Sequence, residues 1–200
     1  GATNATPIVV TATGHGYSDG DFVNITGVVG NTACNDLHVI QNKTTNTFEL
    51  TTPAGADVAG NGSYSSDGAT HLCFVCKPAA GEKYLIRELS GGGYDAQCNA
   101  DEYFDNGGAL PVGIKIQVRQ DTTVLHTLTA TPITLTPMWL IGATAIEFAE
   151  GGSYGAQTWA HNYDPVPIVL DGDANEFYVM LFSDAIAIDA QECSIRGEVL

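Results

Sequence analysis

Three short stretches carry residue types that could do chemistry. Gly151-Gly152-Ser153-Tyr154-Gly155 matches G-x-S-x-G, which in hydrolases lifts a serine onto a strained strand-to-helix turn. A triad then needs an acid and a histidine later in the chain. His161 is the only histidine after Ser153, no acid lies between the two, and the residues after Gly155 lack a helical pattern. The expected role is a Gly-rich β-turn. Asp171-Gly172-Asp173-Ala174-Asn175-Glu176 gathers oxygen ligands as a calcium loop does. The sixth position of that loop should be Gly and is Glu176, and the twelfth should be Glu and is Phe182. Asp171, Asp173 and Asn175 stand as candidate Ca²⁺ ligands of a different loop type, against a solvated hairpin turn. No other cofactor is expected.

Cys73-Phe74-Val75-Cys76 is formally a C-x-x-C. Zinc and redox pairs place such cysteines on a turn or helix start, where the sulfurs converge. Thr70 to Lys77 instead has the pattern of a strand, in which residues three apart face opposite ways. With Cys34, Cys98 and Cys193 the thiols number five, at irregular spacing, so they make no disulfide framework. The five histidines show no ligand spacing. Trp159, Tyr154 and Tyr163 lie near predicted loops and could form an aromatic platform for a sugar. Trp139 sits in an apolar run and is expected in the core.

The composition bounds what these residues can serve. The chain has 200 residues, 23 Asp and Glu against 7 Lys and Arg, and a net charge of −16. That argues against nucleic acid, which needs a basic patch, and against anionic membrane surfaces. Charged residues are only 15% of the chain, so it is not a disordered acidic tail. Thr, Val and Ile together number 49, and 23 Gly with 8 Pro punctuate them. β-Branched residues favour pleated surfaces. The expected class is all-β. Thr122 to Ile146 is free of charge but contains Pro132 and Pro137, so it is expected as strands and not as a membrane span. No segment has the pattern of a signal peptide.

The elements that must position these groups fall into two units. In residues 1–68, strands are expected over Thr6–Ala12, Phe22–Thr26, Leu37–Gln41 and Thr47–Thr51. Pro53 to Gly68, poor in apolar residues, is expected as a long loop, or as a weak last strand followed by a linker. In residues 69–200, strands are expected over Thr70–Lys77, Lys83–Leu89, Gly113–Gln120, Thr123–Ala130, Ile133–Thr136 and Trp139–Phe148. Further strands are expected over Gln157–Ala160, Pro167–Leu170, Glu176–Phe182 and Cys193–Val199. Ile114 to Arg119 alternates apolar with polar, which predicts one wet face. Phe177 to Phe182 is apolar on both faces, which predicts a central strand. Ser90 to Leu110 is expected as a long Gly-rich loop. The architecture expected is a small barrel-like β-domain followed by a jelly-roll-like β-sandwich.

His15-Gly16-Tyr17-Ser18-Asp19-Gly20-Asp21-Phe22-Val23-Asn24-Ile25-Thr26-Gly27-Val28 resembles the H-G-[aromatic or Leu]-x-x-G-D-x-V-x-I-x-G-V segment of a small β-domain. That domain is common in bacteriophage structural proteins. It is often labelled as similar to the first-catalytic-cysteine half-domain of ubiquitin-activating enzymes. Ile8 to Ala12 and Asn46-Thr47-Phe48-Glu49-Leu50 resemble its flanking strands, so the likeness covers residues 6–52. Cys34-Asn35-Asp36 departs from it, where an Asn-Gly turn belongs. The resemblance implies a mini-barrel in which His15 is structural, and it implies no enzyme activity. The function it points to is a virion structural protein of a tailed bacteriophage. Capsid decoration (cement) or a head or tail fibre component would be its role, on the particle exterior. Its partners would be other virion proteins and copies of itself, a trimer by analogy. The competing expectation is a secreted carbohydrate-binding or adhesion module.

Overall fold

The computed structural model describes residues 1–95, 114–130, 145–148, 155–162, 167–182 and 190–200. Within them the protein is all-β, with a single 3₁₀ turn at Thr32–Cys34 and three curled antiparallel sheets. The first sheet is a half-barrel built from β1 (Val9–Thr11), β2 (Phe22–Thr26), β3 (Asp36–Gln41), β4 (Thr47–Thr51) and β5 (Ala69–Leu72). Its order is β1-β4-β3-β2-β5. Turn residues set the strand limits. Gly14, Gly16 and Gly20 have φ of 65°, 71° and 92°, left-handed values that a side chain resists, and they fold the link from β1 to β2. Asn42, at φ 50°, turns β3 into β4.

The side chains on the concave face alternate inward to give one core of Val10, Val23, Ile25, Ile40, Phe48 and Leu50. The loop after β2 closes one end of this core. There Gly30 passes so close to the 60s loop that a Cβ on it would stand 2.1 Å from the Ser63 carbonyl oxygen. Asn31, fully buried, accepts the Asn61 amide at 3.1 Å and donates to the Thr3 carbonyl at 2.9 Å. Pro53 to Gly68, expected as a linker, is thus tied into the half-barrel. The Val58 amide donates to Leu50 and Val58 accepts from Ile8, while Val29 bridges Ser66.

The chain leaves the first sheet at Cys73. The run expected as one strand over Thr70–Lys77 is two. β5 pairs with β2, and β6 (Phe74–Cys76) pairs with β13 (Glu176–Phe182) of another sheet. The expected boundary between residues 68 and 69 therefore lies one strand before the point where the hydrogen bonding changes sheet. Continuous β-pattern hides the change, because both halves of the run remain extended.

The third sheet has the order β6-β13-β8-β9, with β8 at Ile114–Gln120 and β9 at Thr123–Ala130. β13 is flanked on both edges, and Phe177 to Leu181 are all buried, as its two-faced apolarity requires. The wet face expected of β8 is not wet at Gln117 and Arg119, which are 8% and 6% exposed. Hydrogen bonds make this burial tolerable, from Arg119 to Asp36 of the half-barrel and to Gln117, and from Gln117 to Thr127 of β9. In that seam Phe22 and Leu37 of the first sheet pack with Cys73, Phe177, Val179 and Leu181.

In the second sheet, β7 (Lys83–Asp95) is the centre. It pairs with β12 (Ile168–Asp171) through residues 83–86 and with β11 (Gly155–Asn162) through 88–95. β14 (Ala190–Val199) pairs with residues 84–94, and β10 (Ala145–Phe148) extends the sheet beyond β11. A strand has two edges, so β12 and β11 share one and β14 takes the other. The expectation of a loop from Ser90 to Leu110 is corrected over its first six residues. Ser90 to Asp95 continue β7, and pairing on both edges holds Gly91-Gly92-Gly93 extended despite its weak strand propensity. Residues 96–110, and the strand expected over Ile133–Thr136, lie outside the described residues.

Candidate functional site

The half-barrel does not close. Its end strands β1 and β5 flank a cleft of about 390 Å³. The floor is the concave core itself, through Val10, Ile25, Val28 and Cys34. Around the floor stand His15, Tyr17, Tyr64, Asp67 and Thr70.

The turn between β1 and β2 brings the first two of these into place. The Tyr17 amide donates to His15 Nδ1 at 3.0 Å, so Nδ1 is unprotonated and the neutral ring carries its proton on Nε2. The imidazole stacks on Tyr17 with centroids 5.1 Å apart, and both rings meet Phe48 edge to face at 5.1 and 5.8 Å. Tyr17 then reaches across the cleft, and its hydroxyl donates to the Thr70 carbonyl of β5 at 3.1 Å. Burial is the main cause that raises the Tyr17 pKa, with the Asp21 carboxylate adding to it, so this donor keeps its proton. His15 thereby fixes the Tyr17 amide within the turn.

Asp67 and Gly68 form the opposite lip, both with left-handed backbone at φ 62° and 112°. A Cβ on Gly68 would stand 2.6 Å from Val28 Cγ2, so only glycine lets the lip lie this close to the floor. Asp67 is exposed and accepts the Ser66 hydroxyl at 3.2 Å. Among the described residues its side chain is the only carboxylate lining the cleft, and no lysine or arginine side chain lines it. None of these rim residues except His15 and Tyr17 stands in a pattern that the sequence singles out.

The candidate calcium loop, expected otherwise as a hairpin turn, is a turn that passes from β12 of the second sheet to β13 of the third and is held by its own carboxylates. Asp171 Oδ1 accepts the Asp173 amide at 3.0 Å, Glu176 Oε2 accepts the Asp171 amide at 2.9 Å, and Asp173 Oδ1 accepts the Gly81 amide at 2.8 Å. Lys83 Nζ lies 2.5 Å from Asp171 Oδ2, where a cation ligand would have to sit. The hydrogen bond between them lowers the Asp171 pKa and raises that of Lys83. Asn175 adopts φ 58° and its amide donates to Gly172 at 3.0 Å, completing the turn. Among the described residues no three side chains of metal-binding type converge.

Cys73 and Cys76 are free thiols, as is Cys34. Burial pushes all three pKa values up, that of Cys73 to about 12, so none is an activated thiolate. Trp159 lies in β11, paired with Gly91. Tyr154, Tyr163, Ser153 and Trp139 lie outside the described residues, so the aromatic platform and the G-x-S-x-G stretch are not placed. No protein family, curated protein or solved structure matches the chain.

Proposed function

We propose that this chain is a non-enzymatic structural subunit of a tailed-bacteriophage particle. Its role would be capsid decoration or a head or tail fibre component, and it would work by burying area against other subunits on the particle exterior. The observation that carries the reading is how the His15–Val28 segment is used. His15 fixes the Tyr17 amide, Tyr17 clasps β5, and Phe22 to Thr26 form β2 at the heart of the half-barrel. Each of these residues builds shape, as a building-block domain requires.

Two further features suit assembly. The half-barrel and the third sheet share a buried seam, which makes the pair a stiff block. Exposed Leu72, Val124, Leu125, Val169 and Val199 lie on strands β5, β9, β12 and β14, where neighbouring subunits could cover them. In this reading the second and third sheets are the faces of a jelly-roll-like sandwich, and symmetric copies, such as a trimer, surround a particle axis.

The test is reconstitution. Particles stripped of this chain are mixed with the purified protein, imaged, and heated to measure genome release. Density at symmetric positions and a higher release temperature are expected. Failure of the chain to attach to any particle would overturn the assignment.

A further inference from the structure

We propose that the cleft between β1 and β5 binds a neutral sugar ring of monosaccharide size. This goes beyond the structural role and does not depend on it.

Size is the first argument. About 390 Å³ lies at the lower end of small-ligand clefts, too small for a folded partner. Charge is the second. Among the described residues no lysine or arginine side chain faces the cleft, and Asp67 stands on its lip in a chain of net charge −16. An anionic ligand would meet the Asp67 carboxylate, and the side chains described around the cleft offer it no lysine or arginine. A wholly apolar ligand would strip water from Asp67 and Thr70 without replacing it.

The third argument is the pairing of surfaces. A pyranose has apolar C–H faces and an equator of hydroxyls that both donate and accept. The cleft presents Val10, Ile25 and Val28 below and the tyrosines Tyr17 and Tyr64 beside them, with polar groups only at the rim. Asp67 is exposed, and its one side-chain partner is the neighbouring Ser66 hydroxyl. It can accept two further hydroxyls, as adjacent sugar hydroxyls would offer. Thr70 supplies a group that donates and accepts. The Gly1 amino group, at the β1 edge, is bonded to the Thr11 carbonyl at 3.0 Å.

The fourth argument is preorganisation. The Tyr17 hydroxyl bond to Thr70 ties the link between β1 and β2 to β5, and Gly68 fixes the lip against Val28. The floor and walls exist before any ligand arrives, so little ordering entropy is lost on binding.

The experiment is a titration of the full chain followed by backbone amide NMR. The probes are the methyl pyranosides of glucose, galactose, mannose and N-acetylglucosamine, each to about 50 mM, a range that detects weak single-site binding. Cyclohexanol is the control of similar ring size without the polyol. At least one glycoside should give saturable shifts at Thr11, Tyr17, Gly68 and Thr70, and cyclohexanol should not. Asp67→Asn keeps the left-handed backbone, which asparagine tolerates, and should weaken binding about tenfold through loss of the charged acceptor. Tyr64→Leu should weaken it several-fold. No saturable glycoside, equal binding of cyclohexanol, or binding untouched by both substitutions would each overturn the proposal.

Discussion

Arg119 Nη1 donates to Asp36 Oδ1 at 2.9 Å, joining β8 of the third sheet to the first residue of β3 in the half-barrel. The two partners sit in different surroundings. The Arg119 side chain is 7% exposed and that of Asp36 is 46% exposed. Arg119 Nε also donates to Gln117 Oε1 at 2.8 Å, and Gln117 Nε2 donates to Thr127 Oγ1 at 3.2 Å. A buried guanidinium is therefore answered by one half-exposed carboxylate and one amide.

That asymmetry predicts the outcome of cutting the pair. Asp36→Asn keeps an acceptor oxygen but removes the charge that balances Arg119. It should cost roughly 1–2 kcal/mol, reduced from the fully buried case because water reaches Asp36. Arg119→Met should cost roughly 2–3 kcal/mol, because Gln117 Oε1 loses its donor as well. The double variant should fall short of the sum by about 1 kcal/mol. Urea unfolding of the four proteins measures this. Strict additivity would mean that the contact does not couple the sheets.

The turn at Asp171 gives a second prediction, about pH and calcium together. The hydrogen bond from Lys83 is the main cause that lowers the Asp171 pKa below its usual 3.8. A depressed carboxylate contributes in full above its unfolded pKa and loses the contribution as pH falls through the folded value. Lys83 is raised above 10.5 by the same bond, so its contribution is lost as pH rises through that higher value. The lock therefore holds across the whole neutral range. A carbon-detected NMR titration should place the Asp171 midpoint below 3.8, and Lys83→Met should move it upward. Calcium chloride should leave the Asp171 and Asp173 signals in place, since their oxygens already accept Lys83 and the turn amides. A saturable calcium shift would restore the metal site.

The strands were legible where turn residues bound a β-branched run. β2, β4, β9 and β13 have the limits that the sequence predicts, where turn residues such as Gly27 after β2, Asn46 before β4, Asp121 before β9 and Asn175 before β13 interrupt the extended pattern. Arg119 was not legible. Alternation reports that a strand has two unlike faces, and it does not report whether the polar face meets water or a neighbouring sheet. The Gly91-Gly92-Gly93 run misled for a related reason. Glycine propensity is local, while pairing with β11 and β14 is not. The cleft was illegible because its walls come from residues near 10–17 and 64–70, which only the curl of the sheet brings together. His15 and Tyr17 stood inside a recognisable segment, but Asp67 lay in a stretch whose composition suggested a linker.

Cys73 gives the last prediction, which concerns reactivity. It lies at the step from β5 to β6, where its amide donates to the Phe22 carbonyl at 2.8 Å and its thiol to the His71 carbonyl at 3.6 Å. Its side chain packs with Phe177 and Leu37 in the seam. Burial is the main cause that pushes its pKa up to about 12. Only the thiolate attacks a disulfide reagent, and at pH 8 about one molecule in ten thousand would carry it. Cys76 is half-buried and its pKa is raised less severely, again by burial. The native protein, treated with an aromatic disulfide at pH 8, should therefore react at Cys76 well before Cys73. Peptide mapping by mass spectrometry separates the two, whatever Cys98 and Cys193 do. In denaturing urea both should react at the rate of an ordinary thiol. Raising the pH to 9 should speed Cys73 about tenfold if thiolate formation limits it, and much less if opening of the seam does. Either result keeps Cys73 the slower of the pair. Labelling of Cys73 as fast as Cys76 in the native protein would show that the seam is open and that the two sheets are not packed through this residue.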